Sequence, residues 1–255
     1  MSLTLTALRD IPLIQPGDDL ASLILQALAR ASIALEDGDI LVVAQKIVSK
    51  AEGRLRKLSE VIPSPRALEI SGATQKDARF VELVLRESSE ILRMRPGTLI
   101  VVHRLGFVCA NAGIDHSNVQ AESGDGEDWV LLLPENPDAS AEELRRKLEA
   151  ASGRKIGVLI IDSHGRAWRN GVVGVAIGVA GMPALVDMRG KPDLFGYRLR
   201  ITQIGAADEL AAAVSLVMGQ ADERTPVVHA HGFPYALRDG SINELIRPKE
   251  QDLFR

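Results

Sequence analysis

The sequence predicts a mixed α+β fold, and three observations carry that reading. Short β-rich apolar runs and stretches of helical periodicity both recur along the chain. They do not alternate in the regular order that builds a doubly wound parallel sheet. A balance of 46% hydrophobic and 25% charged residues over 255 positions is that of a globular protein with a sizeable core, arranged as one large domain or two small ones.

Taken in order, Asp18 and Asp19 precede "LASLILQALARASIA", where Leu20, Leu23, Ile24, Ala27 and Leu28 recur at helical spacing, so a capped amphipathic helix begins here. "DILVVAQKIVSKAEGR" (39–54) opens as a strand and then turns polar, which puts Gln45, Lys46, Ser49, Lys50, Glu52 and Arg54 at or just past the strand's end. Residues 64–95 read as helical with a break near Ser71 and Gly72, and "GTLIVVHRLGFVCANAGI" (97–114) reads as a hairpin or two short strands about Gly106. Ser140 with Glu143 forms a capping box for a helix that stops before Gly153. "IGVLIID" (156–162) is a strand that delivers Asp162 at its C-terminal end. Gly171, Gly174, Gly178 and Gly181 have helical spacing as well as turn character, and close backbone packing explains them better than a phosphate cradle. "YRLRITQIG" (197–205) alternates like a half-buried strand, 206–218 is a helix ending at Gly219, and "TPVVHAHG" (225–232) is a further strand.

Several function classes fall away on composition. The net charge of −4 is spread without long basic runs, so the chain lacks the footprint of a protein that grips nucleic acid. No apolar stretch reaches the roughly 20 residues of a membrane helix. The segment "MSLTLTALRDIPLI" has no charged n-region ahead of an apolar core, so a cytoplasmic location is expected. The single cysteine, Cys109, has no second thiol for a disulfide or a zinc site and reads as a buried structural residue.

Four polar clusters follow apolar runs: Lys50 with its neighbours, Asp115 with Asn118, Asp162 with Ser163, and Gly219-Gln220-Ala221-Asp222. Carboxylate and neutral oxygens are what a hard ion such as Mg²⁺ or Mn²⁺ prefers, which suits Asp115, Asp162, Ser163 and Gln220. Lys50 is placed to present a point charge to phosphates. Each acid taken alone reads as a turn former or helix cap. "VLIID" has the look of the strand-plus-Asp element of P-loop enzymes, but the chain has no G-x-x-x-x-G-K-[ST] loop, which rejects that class. His229 and His231 alternate on a strand and face one way, either as transition-metal ligands or as two hydrogen-bonded strand histidines, the second being the simpler reading. His116 and His164 stand beside the key acids, behind them or merely exposed, and Arg54 and Arg166 pair either with anionic substrates or with structural acids.

Six motifs, in order, then acquire a common meaning: "IPLI" (11–14), "VSKAEGR" (48–54), "NAGIDHSNV" (111–119), "IIDSHGR" (160–166), "RNGVVGVAIGVAG" (169–181) and "LVMGQAD" (216–222). Together they resemble the coenzyme F420-0:L-glutamate ligase family, over the chain from about Ile11 to Phe254. The resemblance implies an α+β fold with mixed and antiparallel sheets and flanking helices, one ligase domain over residues 1–255 without a fused flavin reductase, and an intertwined homodimer. It implies a GTP-dependent ligase that adds L-glutamate to the lactyl carboxylate of F420-0, can extend the tail by γ-linkages, and uses divalent metal ions, Mg²⁺ or Mn²⁺, with a potassium ion assisting.

Carried over position by position, Asp115, Asp162, Ser163 and Gln220 match metal positions. Ile11, Pro12, Leu13 and Ile14, then Gln45, Lys46, Lys50 and Asn118, match the nucleotide site. So does the segment from Met218 through Gly219, Gln220 and Ala221 to Asp222. Asp115, Asp162 and Lys50 are thereby expected to carry the catalysis. The chain departs from the pattern at Gln45-Lys46, where small hydroxyl residues occur in the family, at "ADERTP" (221–226), which replaces a more glycine-rich loop, and at Ser163, where Thr is common. Amide formation at neutral pH requires an activated carboxylate, and phosphoryl transfer from GTP makes an acyl phosphate without a protein nucleophile. A metal-dependent phosphatase and a non-catalytic nucleotide-binding regulator are the competing readings, and neither accounts for six motifs in this order.

Overall fold

A computed structural model describes residues 2–119 and 128–253, so Phe254, where the family resemblance ends, lies outside the described residues. The elements run Thr4–Leu8 (β1), Leu20–Arg30 (α1), Ile40–Ala44 (β2), Gln45–Ala51 (α2), Leu55–Lys57 (β3), Pro65–Thr74 (α3), Ala78–Arg86 (α4), Ser88–Arg95 (β4), Thr98–His103 (β5) and Val108–Ala110 (β6). They continue with Trp129–Leu131 (β7), Pro137–Ser152 (α5), Gly157–Arg166 (β8), Arg169–Ala180 (β9), Val186–Asp187 (β10), Gln203–Ile204 (β11), Ala206–Met218 (α6) and Val227–His231 (β12). The fold is mixed α+β, as predicted.

The central sheet has the order β1-β12-β2-β8-β9, in which only β2 and β8 are parallel. Strand β2, "ILVVA", is buried on both faces, as a β-branched run without polar alternation requires. Leu41 and Val43 pack beneath α1 and α5, while Ile40 and Val42 pack beneath α6. A second core is inserted between α2 and α5. There α3 and α4 cover the antiparallel sheet β4-β5-β6, with Phe80, Val84, Leu99 and Val101 at its centre.

Several expectations are corrected. Residues 88–95 are a strand, because Ser88–Arg95 finds a full antiparallel partner in β5, and that pairing overrides helical propensity. The helical break falls at Gln75, left-handed at φ 56°, rather than at Ser71 and Gly72. Helix α5 starts a turn earlier than the Ser140 box: Asn136 caps it by accepting from the Ala139 N–H at 3.2 Å, Pro137 follows, and Ser140 lies inside. Its end at Gly153, left-handed at φ 69°, is as expected. Neither Asp18 nor Asp19 caps the backbone of α1; Asp19 Oδ2 accepts from Ser22 Oγ and Asp18 Oδ2 from the Gln15 N–H. The polar run after β2 is helix α2, which begins directly at Gln45. Only Gln203–Ile204 of the 197–205 stretch is strand, paired with the two residues of β10, while Arg198 forms no more than an isolated bridge to Pro192.

Strand β8 does not stop at Asp162 but runs to Arg166, held by β9. A register shift after Ile160 turns β9 so that Gly174 faces α6 and Gly178 faces α5. A Cβ at Gly174 would meet the Ala211 carbonyl oxygen at 2.4 Å and one at Gly178 the Pro137 backbone at 2.6 Å, so both glycines serve close packing. His229 and His231 are the hydrogen-bonded pair: Nε2 of the first lies 2.7 Å from Asp39 Oδ2 and Nδ1 of the second 2.8 Å from Asp39 Oδ1, at the end of β2 remote from Ala44. Cys109 is buried, and burial pushes its thiol up to about 12.

His103 is fully buried and stacked on Phe107 at 5.1 Å. Burial pushes its imidazole down to about 4, against the pull of Glu87. A folded-state value below the unfolded one means the unfolded chain binds the proton first as pH falls. Stability is therefore lost between pH 6.5 and 4, by up to about 3 kcal/mol from this group. Thermal melting of wild type and His103→Phe at pH 7 and pH 5 should show a smaller acid-induced drop in the variant, and equal drops would count against the assignment.

Candidate active site

The parallel register of β2 and β8 pairs Ala44 with Ile161, so the residues that follow, Gln45 and Asp162, emerge side by side at one end of the central sheet. A cavity of about 830 Å³ opens there. Its base is Ala44, Ile161, Asp162 and Ser163, with Gln45, Lys46 and Lys50 from α2 on one side. Ile11, Pro12, Leu13 and Ile14 form a second wall, and Asn118 a third. Met218, Gly219, Gln220, Ala221 and Asp222, leaving the C-terminus of α6, close the rim.

Asp115 is the one predicted residue that is not itself on the wall, and two wall residues hold it against the cavity. Gln45 Nε2 donates to Asp115 Oδ2 at 2.6 Å, and Lys46 Nζ lies 2.7 Å from Oδ1. Gln45 is itself buried and fixed by Ser49 Oγ, which donates to its Oε1 at 2.9 Å. The backbone of Asp115 exchanges both hydrogen bonds with Leu131 across a single bridge to β7. Lys46 also donates to the carbonyl and hydroxyl of Ser117, and Lys50 donates to the Asn118 carbonyl at 2.8 Å. Asn118 is left-handed at φ 57°, a conformation asparagine tolerates, and its Nδ2 reaches across to the Ala221 carbonyl at 3.2 Å. The segment 115–118 is thus strapped to α2 on one side and to the loop after α6 on the other.

The two carboxylates differ in charge environment. Burial raises the Asp115 carboxyl, Lys46 opposes that, and the neighbouring charge of Asp162 adds to the rise. Asp162 is more deeply placed, and burial is the largest single influence on it. The hydrogen bond and charge of His164 and the Ser163 backbone nevertheless hold it below the usual carboxylate range. Burial, then Lys46, lowers the Lys50 ammonium. Ser163 Oγ donates to Gln220 Oε1 at 2.8 Å, and Gln220 Nε2 to Ser215 Oγ at 2.9 Å. Two carboxylates, a hydroxyl and an amide oxygen form a hard-oxygen donor set that fits Mg²⁺ or Mn²⁺. Among the described residues no group of three or more His, Cys, Asp or Glu is placed to hold a metal.

Arg54 is a structural cation: its guanidinium lies 3.0 Å from Glu87 and donates to the Leu133 carbonyl, away from the cavity. Arg166 is exposed at the end of β8, where its guanidinium donates to the Asn170 carbonyl at 3.4 Å. His116 stacks on Phe80 at 4.9 Å, facing the inserted core. Sequence reasoning missed Gln15 and Ser215, and it named the rim residue by residue only to Asp222, though the 221–226 loop it singled out continues the wall through Glu223, Arg224, Thr225 and Pro226. Glu223 Oε2 accepts from the Ala221 N–H, which curls the rim over Gly219, itself at φ 79°. Continuity with Asp222 was the available signal.

The sequence profile of the F420-0:Gamma-glutamyl ligase family matches residues 9–232. The coenzyme F420:L-glutamate ligase of Methanothermobacter thermautotrophicus is 49% identical over 100% of both chains. The proteins of that name from Methanopyrus kandleri and Methanocaldococcus jannaschii are 48% and 44% identical, covering 95% and 88% of this chain and 93% and 88% of their own. The family match and these relatives define an enzyme of the ligase class. The chain belongs to the F420-0:γ-glutamyl ligase family.

If the two carboxylates hold cations, Asp115→Asn and Asp162→Asn each lower turnover by about 10²-fold or more while leaving a cooperative melt. Near-normal turnover in either folded variant removes that residue from the centre.

Proposed function

We propose that this chain is a GTP-dependent ligase that joins L-glutamate to coenzyme F420-0 and, through γ-linkages, adds further glutamates. The γ-phosphoryl group passes to the acceptor carboxylate, the bond from γ-phosphorus to the β,γ-bridging oxygen breaks, and GDP leaves. The amine of glutamate then attacks the acyl carbon of the acyl phosphate, loses its proton, and expels inorganic phosphate. A bound Mg²⁺ or Mn²⁺ would neutralise phosphate charge, with K⁺ assisting. Asp115, Asp162, Ser163 and Gln220 are the residues to hold the cations. Lys50 and Lys46 balance phosphate charge from α2, and Asn118 orients the nucleotide through its amide. Ile11, Pro12, Leu13 and Ile14 on one side and the rim from Met218 to Asp222 on the other enclose it. A nucleophile from the protein is not required, so the work of the chain is positioning and charge neutralisation.

The observation that carries this reading is the convergence on one 830 Å³ cavity of residues from positions 11–14, 45–50, 118, 162–163 and 218–222, in a chain of this family. The names of the relatives support the substrates. No described helix is long and apolar enough to cross a membrane.

A homodimer belongs to the same proposal. Leu194, Phe195 and Ile201 are 97%, 94% and 88% exposed in one segment between β10 and β11, and Leu216 on α6 is 88% exposed. Such apolar surface is expected to be covered by a second copy. Light scattering should report twice the chain mass, and Phe195→Asp should shift it toward one; a monomeric wild type overturns the dimer.

The test of the activity is mass spectrometry of F420-0 incubated with the protein, GTP, Mg²⁺ or Mn²⁺ and L-glutamate, each omitted in turn. Products heavier by glutamyl units only in the complete mixture are expected. Phosphate release without glutamyl product would favour a phosphatase, and nucleotide binding without turnover a regulator.

A further inference from the structure

His164 touches the proposed cation centre and has no role in the reading above. It lies two positions beyond Asp162 on β8, so strand alternation brings its ring alongside the carboxylate. Nε2 stands 2.9 Å from Asp162 Oδ2, and the two side chains are 12% and 11% exposed. An ionised carboxylate only accepts, so Nε2 carries the proton. Aromatic packing also locates the ring. Phe107, which is partly buried between the central and inserted cores, lies 5.5 Å from it at 48°, and is in turn stacked nearly parallel on the buried His103. That column is anchored from behind, since His103 Nδ1 accepts from the Leu105 N–H at 3.0 Å.

We infer that His164 is a positioning residue for the ligase reaction: its Nε2–H holds Oδ2 of Asp162 so that Oδ1 is the oxygen offered to a divalent cation in the cavity. The inference rests on the reading of Asp162 as a cation ligand given under Proposed function. The terminal torsion of an aspartate is broad and roughly two-fold, so a carboxylate without a fixed donor spends time in orientations that do not present the same oxygen. Donors behind metal ligands are worth 10- to 100-fold in metal affinity or activity, because they choose that orientation before the ion arrives. His164 meets the geometric requirements of such a donor: a normal hydrogen-bond distance, low exposure, and a ring held by Phe107 independently of the carboxylate.

The experiment is a titration of Mn²⁺ into the full chain, followed by the electron paramagnetic resonance signal of free ion, for wild type, His164→Phe, His164→Gln and Asp162→Asn, each with a thermal melt. The Phe variant is expected to melt cooperatively and bind Mn²⁺ about 10- to 100-fold more weakly. The Gln variant, whose amide Nε2 reaches toward the same oxygen, should recover most of that loss. Where the Phe variant fails to melt cooperatively, His164→Asn, too short to reach Oδ2, is the second bond-breaking variant and should show the same weakening. Equal affinity in wild type and the bond-breaking variant overturns the inference, as does a loss that Gln does not recover, which would assign the effect to packing. A wild type that binds no Mn²⁺, or binding untouched by Asp162→Asn, overturns the cation reading itself and is told apart by those two samples alone.

Discussion

The pairing of β2 with β8 is the constraint on which the rest of the site depends. It is the only parallel contact in the central sheet, it is buried on both faces, and its register sets Ala44 against Ile161. A slip of one residue would exchange the faces of every apolar side chain between the α1/α5 core and the α6 core, so the register is strongly determined by burial. The same register fixes where α2 starts and where Asp162 emerges. Ligands of open α/β sheets gather at the carboxyl ends of parallel strands for this reason, and the cavity here obeys that rule at a single parallel pair within an otherwise antiparallel sheet.

Around that pair the charges are arranged asymmetrically. Asp115 comes from the inserted module and is held from the α2 side by Gln45 and Lys46, whereas Asp162 comes from the sheet and is held from behind by His164. Burial raises the first, while the His164 hydrogen bond holds the second below the usual carboxylate range against its own burial, so Asp162 on the cavity wall and Asp115 behind Gln45 and Lys46 differ in proton affinity. The inserted module is tied to the central one through Arg54, just past α2, which bonds Glu87 Oε2 on one side and donates to the carbonyl of Leu133, a central-core residue, on the other, while Arg104, just past β5, shares the buried Glu87.

Where strand or helix pattern is strong and local, sequence and structure agree closely. The helix over 206–218 ends at Gly219, the α5 helix ends at Gly153, and the buried strands around Leu41 and Val228 stand where their β-branched runs lie. All the predicted site residues but Asp115 line one cavity because the end of β2, the start of α2, Asp162 and Ser163 of β8, the end of α6, the 11–14 segment and Asn118 meet at one edge. The departures arise where the deciding partner is distant in the chain. Ser88–Arg95 has the composition of a helix end and becomes a strand because β5 lies beside it. Asp162 looks terminal because apolar residues stop there, yet β9 continues the ladder to Arg166.

The sequence by itself determined the α+β class, the family, the apolar strands and helices, and the identity of the polar residues that gather at the cavity. Only the tertiary structure decided which of those residues touch: that Gln45 and Lys46 hold Asp115, that Glu87 claims Arg54, that Asp39 takes both strand histidines, and that His164 leans on Asp162. The physical reason is range. Hydrophobic periodicity and capping act over a few residues and are written locally, whereas a hydrogen bond between side chains 70 positions apart, such as Gln45 to Asp115, exists only after burial has brought two separate elements together.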